Sequence, residues 1–328
     1  MENINVLKDG LSIISQCKKE TNDIWHAHFG AAAIASYFFT KNNNIDEKTA
    51  CNIYSQAKMM LHKQRLGETI DNKQGVNYQS AEETIIKSLE QTIDELHWVG
   101  HNVIYASLSL LAIKELSHWG SEQDINNIAN LILSFQKTIP GRSWIGFTTK
   151  EVKQLSISND EIQSEIKNPK QLSKFILNEL SKFHVIYKAE SHHDLIGHML
   201  TFSHAINVLY DLGHIELFQR GIKPLLKLVY VLRKSRNLMP NAQIILNSPV
   251  DRLPLTKAKQ VDTLPLDNAF WLKDYSEFNW DFGHIFKFSY SYFDHLTRVP
   301  EYKDKTFEKF CCILMSKSLQ LIVIGTYS

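Results

Sequence analysis

Residues His192–Leu209 read HHDLIGHMLTFSHAINVL. Apolar side chains recur there three and four apart, through Leu195, Ile196, Met199, Leu200, Phe202, Ile206 and Leu209. That is the spacing of a helix at about 3.6 residues per turn. His198 follows Gly197 directly, just ahead of the longest apolar run. Three other segments share the plan: WHAHFGAAAIASYFF from Trp25, HWVGHNVIYASLSLL from His97 and WDFGHIFKFSYSYF from Trp280. Gly100-His101, Gly197-His198 and Gly283-His284 repeat the dipeptide, and His28 with Gly30 is a variant. The intervals between these histidines leave room for two or three helices each.

Outward from these segments the helical period continues. It runs from about Thr21 to Phe39, Lys48 to Gln64, Ala81 to Leu96, Asn102 to Leu116 and Gln123 to Phe135. It resumes from Lys170 to Phe183, Asp194 to Leu212, Gly221 to Arg233, Asp281 to Leu296 and Lys305 to Ile322. Alternating apolar runs bounded by turn residues are few, so strand signals are weak. The expectation is an all-α protein, one large helical domain over residues 1–328. It is built of antiparallel helix pairs, with the histidine-bearing helix starts converging on one site. Two breaks interrupt the pattern. Pro140-Gly141 marks a loop within TIPGRSWIGF. Pro240, Pro249, Pro254 and Pro265 prevent residues 237–266 from forming one helix. A loop that long is usually functional, and a lid or a wall of a substrate pocket is expected.

The 328 residues are 44% apolar, enough for a sizeable core, and the net charge of +1 offers no basic field to hold nucleic acid. The four cysteines, Cys17, Cys51, Cys311 and Cys312, form no CxxC pair. That argues against a disulfide framework and for a reducing cytoplasm. The N-terminal MENINVLKDG has neither the basic start nor the apolar core of a signal peptide. The apolar stretch from Cys311 to Ile324 is too short to span a bilayer and is interrupted by Lys317, so a buried helix is expected there. No G-x-S-x-G, P-loop or G-x-G-x-x-G occurs, which argues against a serine hydrolase and a tightly held nucleotide.

The chain holds 14 histidines. A single histidine at a helix start is more often a cap or a core residue than a ligand. Four repeats of one local plan favour a cluster instead: glycine lets backbones approach, and the imidazoles of His28, His101, His198 and His284 meet. Neutral imidazoles suit iron, zinc, copper or nickel. His26, His97, His192, His193 and His204 are harder to place, as outer hydrogen-bond donors, substrate contacts or surface residues. His62, His118, His184, His214 and His295 fall outside the pattern and read as structural or exposed. Lys287 stands three residues after His284 and shares its helix face. An ammonium there would be repelled, whereas a lysine neutralised by burial or carbamylated to an anionic oxygen ligand fits.

The order of these motifs resembles the questin oxidase-like family. The motifs are a histidine-glycine helix start near the N-terminus, then His198-Met-Leu-Thr201-Phe-Ser-His204-Ala205, then His284-Ile-Phe-Lys287. The resemblance covers about residues 25–295. It implies an all-helical oxygenase of small aromatic, polyketide-derived substrates that uses O2 and non-haem Fe(II). It also implies iron on His28, His101, His198 and His284, with a carbamylated Lys287, and catalytic roles for His198, His204 and Lys287. NADPH is a candidate external reductant. The chain is shorter than that family, and WHAHFG and HWVGHN leave His26 competing with His28 and His97 with His101. Three other readings stand beside it. A di-metal carboxylate oxidase would use Asp194 with His198 and Asp94 with His97. A metal phosphohydrolase would use His193-Asp194 and Asp281. A helical binding protein would have no chemistry.

Overall fold

The computed structural model describes residues 3–70, 74–157, 165–239, 243–275, 278 and 280–314. Among the described residues there are 13 helices, and the content is 66% helix and 4% strand. In chain order these are α1 (Asn5–Thr21), α2 (Ala27–Asn42), α3 (Glu47–Lys63), α4 (Tyr78–Leu89), α5 (His101–Leu116), α6 (Glu122–Ser134) and α7 (Thr149–Gln154). There follow α8 (Pro169–Ser181), α9 (Leu195–Asp211), α10 (Ile215–Arg233), α11 (Asn268–Trp271), α12 (Trp280–Arg298) and α13 (Lys303–Ile313). The all-α expectation holds. None of these helices is long and apolar enough to cross a membrane.

Four helices form the centre. α2 packs on α5 and α12, and α9 packs on the same two, so the four close into a ring. Their sequences dictate that position. Every residue from Ala27 to Ser36 of α2, from His101 to Leu110 of α5 and from Leu195 to Leu209 of α9 is buried. A helix that is apolar all round has to be covered all round. The outer layer does the covering with amphipathic helices. α1 and α3 lie on α2, α4 and α6 on the α5 side, and α8 and α10 on α9. α4 shows the division, burying only Ala81, Ile85, Ser88 and Leu89.

Helix α1 lies outside the segments singled out from the sequence. It buries Val6, Leu7, Gly10, Leu11 and Ile14 at helical spacing, but no side chain caps its start, so no boundary signal precedes it. Among the described residues six two-residue strands, β1 (Val76–Asn77) through β6 (Thr256–Lys257), pair as antiparallel clips: β1 with β2 (His118–Trp119), β3 (Trp144–Ile145) with β5 (Leu246–Asn247), and β4 (Tyr187–Lys188) with β6. β5 and β6 belong to the proline-bearing segment, which is thereby fastened onto the two stretches preceding α7 and α9. Beyond Leu314 the expected C-terminal buried helix falls outside the described residues.

Candidate metal centre

The four patterned histidines meet. His28 and His198 sit in the first turns of α2 and α9, His101 opens α5, and His284 lies near the start of α12. Each is at most 6% exposed. Their ring centroids are 6.3 Å apart for His28–His101, 4.8 Å for His101–His198, 5.0 Å for His198–His284 and 4.6 Å for His284–His28. The four imidazoles therefore close a ring of their own inside the ring of helices. Of the competing pairs, His28 and His101 face the cluster. His26 lies half-buried against Phe29, and His97 contacts Thr138 at 3.3 Å.

The glycines explain how close the helices come. A Cβ on Gly283 would overlap the His28 ring, and one on Gly197 would overlap the Phe288 ring. Gly100 serves differently, with φ of 96° after Trp98 at 39° and Val99 at 52°. Three consecutive left-handed residues, two of them not glycine, are costly at about 1–2 kcal/mol each for an L side chain. The loop at Pro140 holds them: the Trp98 amide donates to the Ile139 carbonyl and the Val99 amide to the Pro140 carbonyl, each at 2.8 Å. The turn aims the Trp98 carbonyl at His101 Nδ1, 2.5 Å away. A carbonyl can only accept, so Nδ1 carries the proton and Nε2 keeps the lone pair.

Asp194 is the residue the oxygenase reading left out. It ends a π-helical turn, Glu190–Asp194, directly before α9. Its carboxylate lies 3.4 Å from His198 Nδ1 and 3.3 Å from His284 Nδ1, and Asp281 stands 3.3 Å from the same His284 nitrogen. His198 Nδ1 also donates to the Asp194 carbonyl at 2.8 Å. Both rings thus hold their protons on Nδ1 and present Nε2, the usual outer-carboxylate arrangement around a metal-binding histidine. Asp194, His198 and His284 can also each offer one donor atom within 4.8 Å of the others. The turn itself is clamped. Asp251 accepts from the Glu190 and Ser191 amides at 2.8 Å each, and Arg142 and Ser143 hold the Glu190 carboxylate.

Burial works to raise the Asp194 pKa, but the facing His198 and His284 rings outweigh it and hold the carboxyl well below the ordinary range. Burial first, and neighbouring cationic groups second, push His28 and His101 below the ordinary imidazole value. His284 is lowered chiefly by burial, against the pull of Asp194. Lys287 is 2% exposed, with Nζ 2.8 Å from His28 Nδ1, and burial brings its amine down to about 7. Beside His284 lies a cavity of about 10 Å³ lined by His193, Asp281, Phe288, Ile313 and Leu314 among others, room for a single water. Among the described residues, none of the proline-bearing segment lines that cavity. Its link to the site runs through Asp251.

His204 is placed away from the four-ring cluster, against Tyr290 at 4.4 Å and beside Ser291. His295 is buried and bonded through both nitrogens to Ser173, Ser203 and the Leu200 carbonyl. His192 accepts from the Tyr187 amide, and His193 Nδ1 lies 2.8 Å from the Ala189 carbonyl oxygen and 3.0 Å from its amide nitrogen, so both pin the turn before α9. No family model, no curated protein and no solved structure matches this chain significantly.

Proposed function

We propose that the chain holds one divalent transition metal, iron in particular, and oxygenates a small aromatic substrate. The observation that carries this reading is the buried ring of His28, His101, His198 and His284 with Asp194 against two of them. The donors fit such an ion. His198 Nε2 is buried without a hydrogen-bond partner, a state that costs about 1–3 kcal/mol when nothing offsets it. Its Nδ1 is committed to Asp194, so Nε2 is the atom left to bind. Neutral imidazoles with a carboxylate suit Fe(II) and leave coordination positions open. A ferrous ion bound there supplies activation of O2.

Lys287 decides what His28 contributes. As an ammonium, its Nζ–H can only donate to His28 Nδ1 and leaves the ring proton on Nε2. As a carbamate formed with CO2, its oxygen accepts from Nδ1–H, and Nε2 becomes a donor like those of His101 and His198. The anion would also offset the charge of the metal. The resemblance to questin oxidase-like proteins supports an aromatic, polyketide-like substrate, with NADPH as external reductant. The cavity beside His284 admits a water or an O2, so an organic substrate needs its wall at Ile313 and Leu314 to shift. Four free cysteine thiols support a cytoplasmic setting.

The test is anaerobic loading with ferrous iron, elemental analysis, and O2 uptake with an anthraquinone-type substrate. One iron per chain is expected, lost in His198→Ala and in His284→Ala while the helical signal stays. Wild-type protein without metal, or full metal in both variants, removes the reading and leaves a helical binding protein. One observation favours a second reading. Asp194 and Asp281 both face His284, and a mixed carboxylate-imidazole set at converging helix N-termini also suits a phosphohydrolase. Phosphatase activity with manganese or zinc and no O2 uptake would select it. Two metals per chain would select a di-metal oxidase.

A further inference from the structure

Residues 244–259, which carry β5 and β6, form a two-faced layer. Ile244, Leu246 and Leu255 turn inward onto Ile145 and Tyr187, in a small core separate from the main one. The outward positions carry Ile245, Val250 and Leu253, which are 70%, 45% and 53% exposed. A layer with one face on a core and the other in water ordinarily alternates apolar with polar residues. Here both faces are apolar. Among the described residues ten large apolar side chains are exposed, and these three fall within nine residues of one another. Such crowding differs from the single scattered apolar residues that are normal on a protein surface.

The end of α10 extends this face. Tyr230 is exposed against Phe147, and the Phe147 carbonyl accepts from Asn247 of β5 at 2.9 Å. Lys234, one turn after Tyr230, stands beside Gly146, whose amide donates to the Ile245 carbonyl at 2.8 Å. Lys234, Arg252, Lys257 and Lys259 are all exposed. Arg252 donates to the Pro249 and Asp251 carbonyls, which bear no charge to cancel its own. The carboxylates on this side are already engaged. Asp251 accepts from the Glu190 and Ser191 amides, Arg142 holds Glu190, and Arg233 and Arg236 hold Glu179. Past Val261 the charge reverses, with Asp262 and Asp267 exposed, and that bounds the patch.

We propose that Tyr230, Lys234 and residues 245–259 dock the protein on an anionic lipid surface. Ile245, Val250 and Leu253 enter the headgroup layer, and the four cations meet lipid phosphates and carboxylates. The arrangement selects lipid over a folded partner. A protein interface draws its affinity from a few central anchors seated in fitted pockets, ringed by residues that exclude water. Ile245, Val250 and Leu253 are instead set apart by Asn247, Ser248, Pro249 and Arg252, with the cations among them. A lipid layer is deformable and needs no matching shape, and it binds by apolar burial and by attraction to basic residues together. The inference does not depend on what the histidine cluster binds.

The test is flotation of the whole chain with vesicles of phosphatidylcholine alone, or with about 25% phosphatidylserine to supply the negative surface potential that attracts basic segments. Binding to the mixed vesicles is expected, with little to phosphatidylcholine alone and release as salt is raised. Replacing Lys257 and Lys259 together by Gln should weaken binding about 25-fold, at roughly 5-fold for each cation. Ile245→Ser with Leu253→Ser should weaken it by about 10-fold or more. All four positions are exposed, so these variants should keep the circular dichroism and urea unfolding of wild type, which separates lost binding from lost fold. Wild type that does not float, equal binding to the two kinds of vesicle, or variants that float like wild type overturn the proposal. A dimer in sedimentation that Ile245→Ser with Leu253→Ser takes apart, without flotation, overturns it as well and assigns the patch to a second copy of the chain.

Discussion

Replacing Lys287 by Met tests whether the fold stores an uncharged lysine at the cluster. The folded chain holds this amine at about 7 against its ordinary 10.5. Between those values the unfolded chain carries a proton on Lys287 that the folded chain lacks. Unfolding therefore takes up a proton, and stability rises with pH across this window. Equivalently, the penalty of neutralising the amine is absent above pH 10.5, grows as pH falls, and is complete below about 7. A separation of about 3.5 pH units, at ~1.36 kcal/mol each, amounts to about 5 kcal/mol. That is as large as the whole stability of many domains. Methionine keeps the length of the stem, removes the titration, and gives up only the 2.8 Å contact with His28 Nδ1. The assay is urea unfolding of metal-free protein in CO2-free buffer between pH 7 and 10, wild type against Lys287→Met. Stability of wild type relative to the variant is expected to climb by roughly 4 kcal/mol over that range. Parallel pH curves for the two proteins would refute the argument, because they would mean that the amine reaches water and stays charged.

Asp194→Asn keeps the shape and removes the charge that faces His198 and His284. Metal affinity by competition with a chelator should fall by about 10–100-fold, as for other outer carboxylates, with unchanged circular dichroism. Gly283→Ala puts a methyl where the His28 ring lies. Although alanine is favoured over glycine within a helix by about 1 kcal/mol, this variant should be less stable to urea and poorer in bound metal. Asp251→Ala removes the acceptor of two amides at the turn before α9. It should lower stability by roughly 1–2 kcal/mol, the range for a lost helix cap, and speed hydrogen exchange at Glu190 and Ser191 first.

The helix-forming pattern and the cluster were legible because both are local. Helical period and the Gly-His dipeptide sit within a few residues, and a close helix approach needs a glycine at the contact, as Gly197 and Gly283 show. Asp194 was harder to read. Its spacing to His198 is visible, but its contact with His284 depends on how α9 meets α12, across a sequence separation no local pattern spans. The left-handed turn Trp98–Gly100 was equally hidden, since only Gly100 announces it and Trp98 and Val99 are held there by Ile139 and Pro140. The proline-bearing segment was recognisable as non-helical, whereas its bond to the turn before Asp194 rests on one aspartate in thirty residues. Helix α1 was missed for want of a cap, not of an apolar face.

The long intervals between the four histidines follow from the direction of the helices. Four helix starts can meet at one point only if the four helices leave it in the same sense. Parallel neighbours cannot be joined by a tight turn, so the chain has to travel back before each new start. A helix of 16 residues such as α5 is about 24 Å long, and an outer helix of similar length makes the return. α3 with α4, α6 with α8, and α10 fill that role between α2, α5, α9 and α12. The same returns cover the all-apolar central helices, so topology and burial have one solution. Converging starts also bring four helix N-termini together, where the aligned peptide dipoles favour an anion. A bare cation would be opposed there. Asp194 and Asp281 supply negative charge at that point, and burial strips Lys287 of its positive charge. On the metal reading proposed above, a cation bound there would be accompanied by an anionic partner, which a carbamate on Lys287, a phosphate or reduced oxygen would each supply.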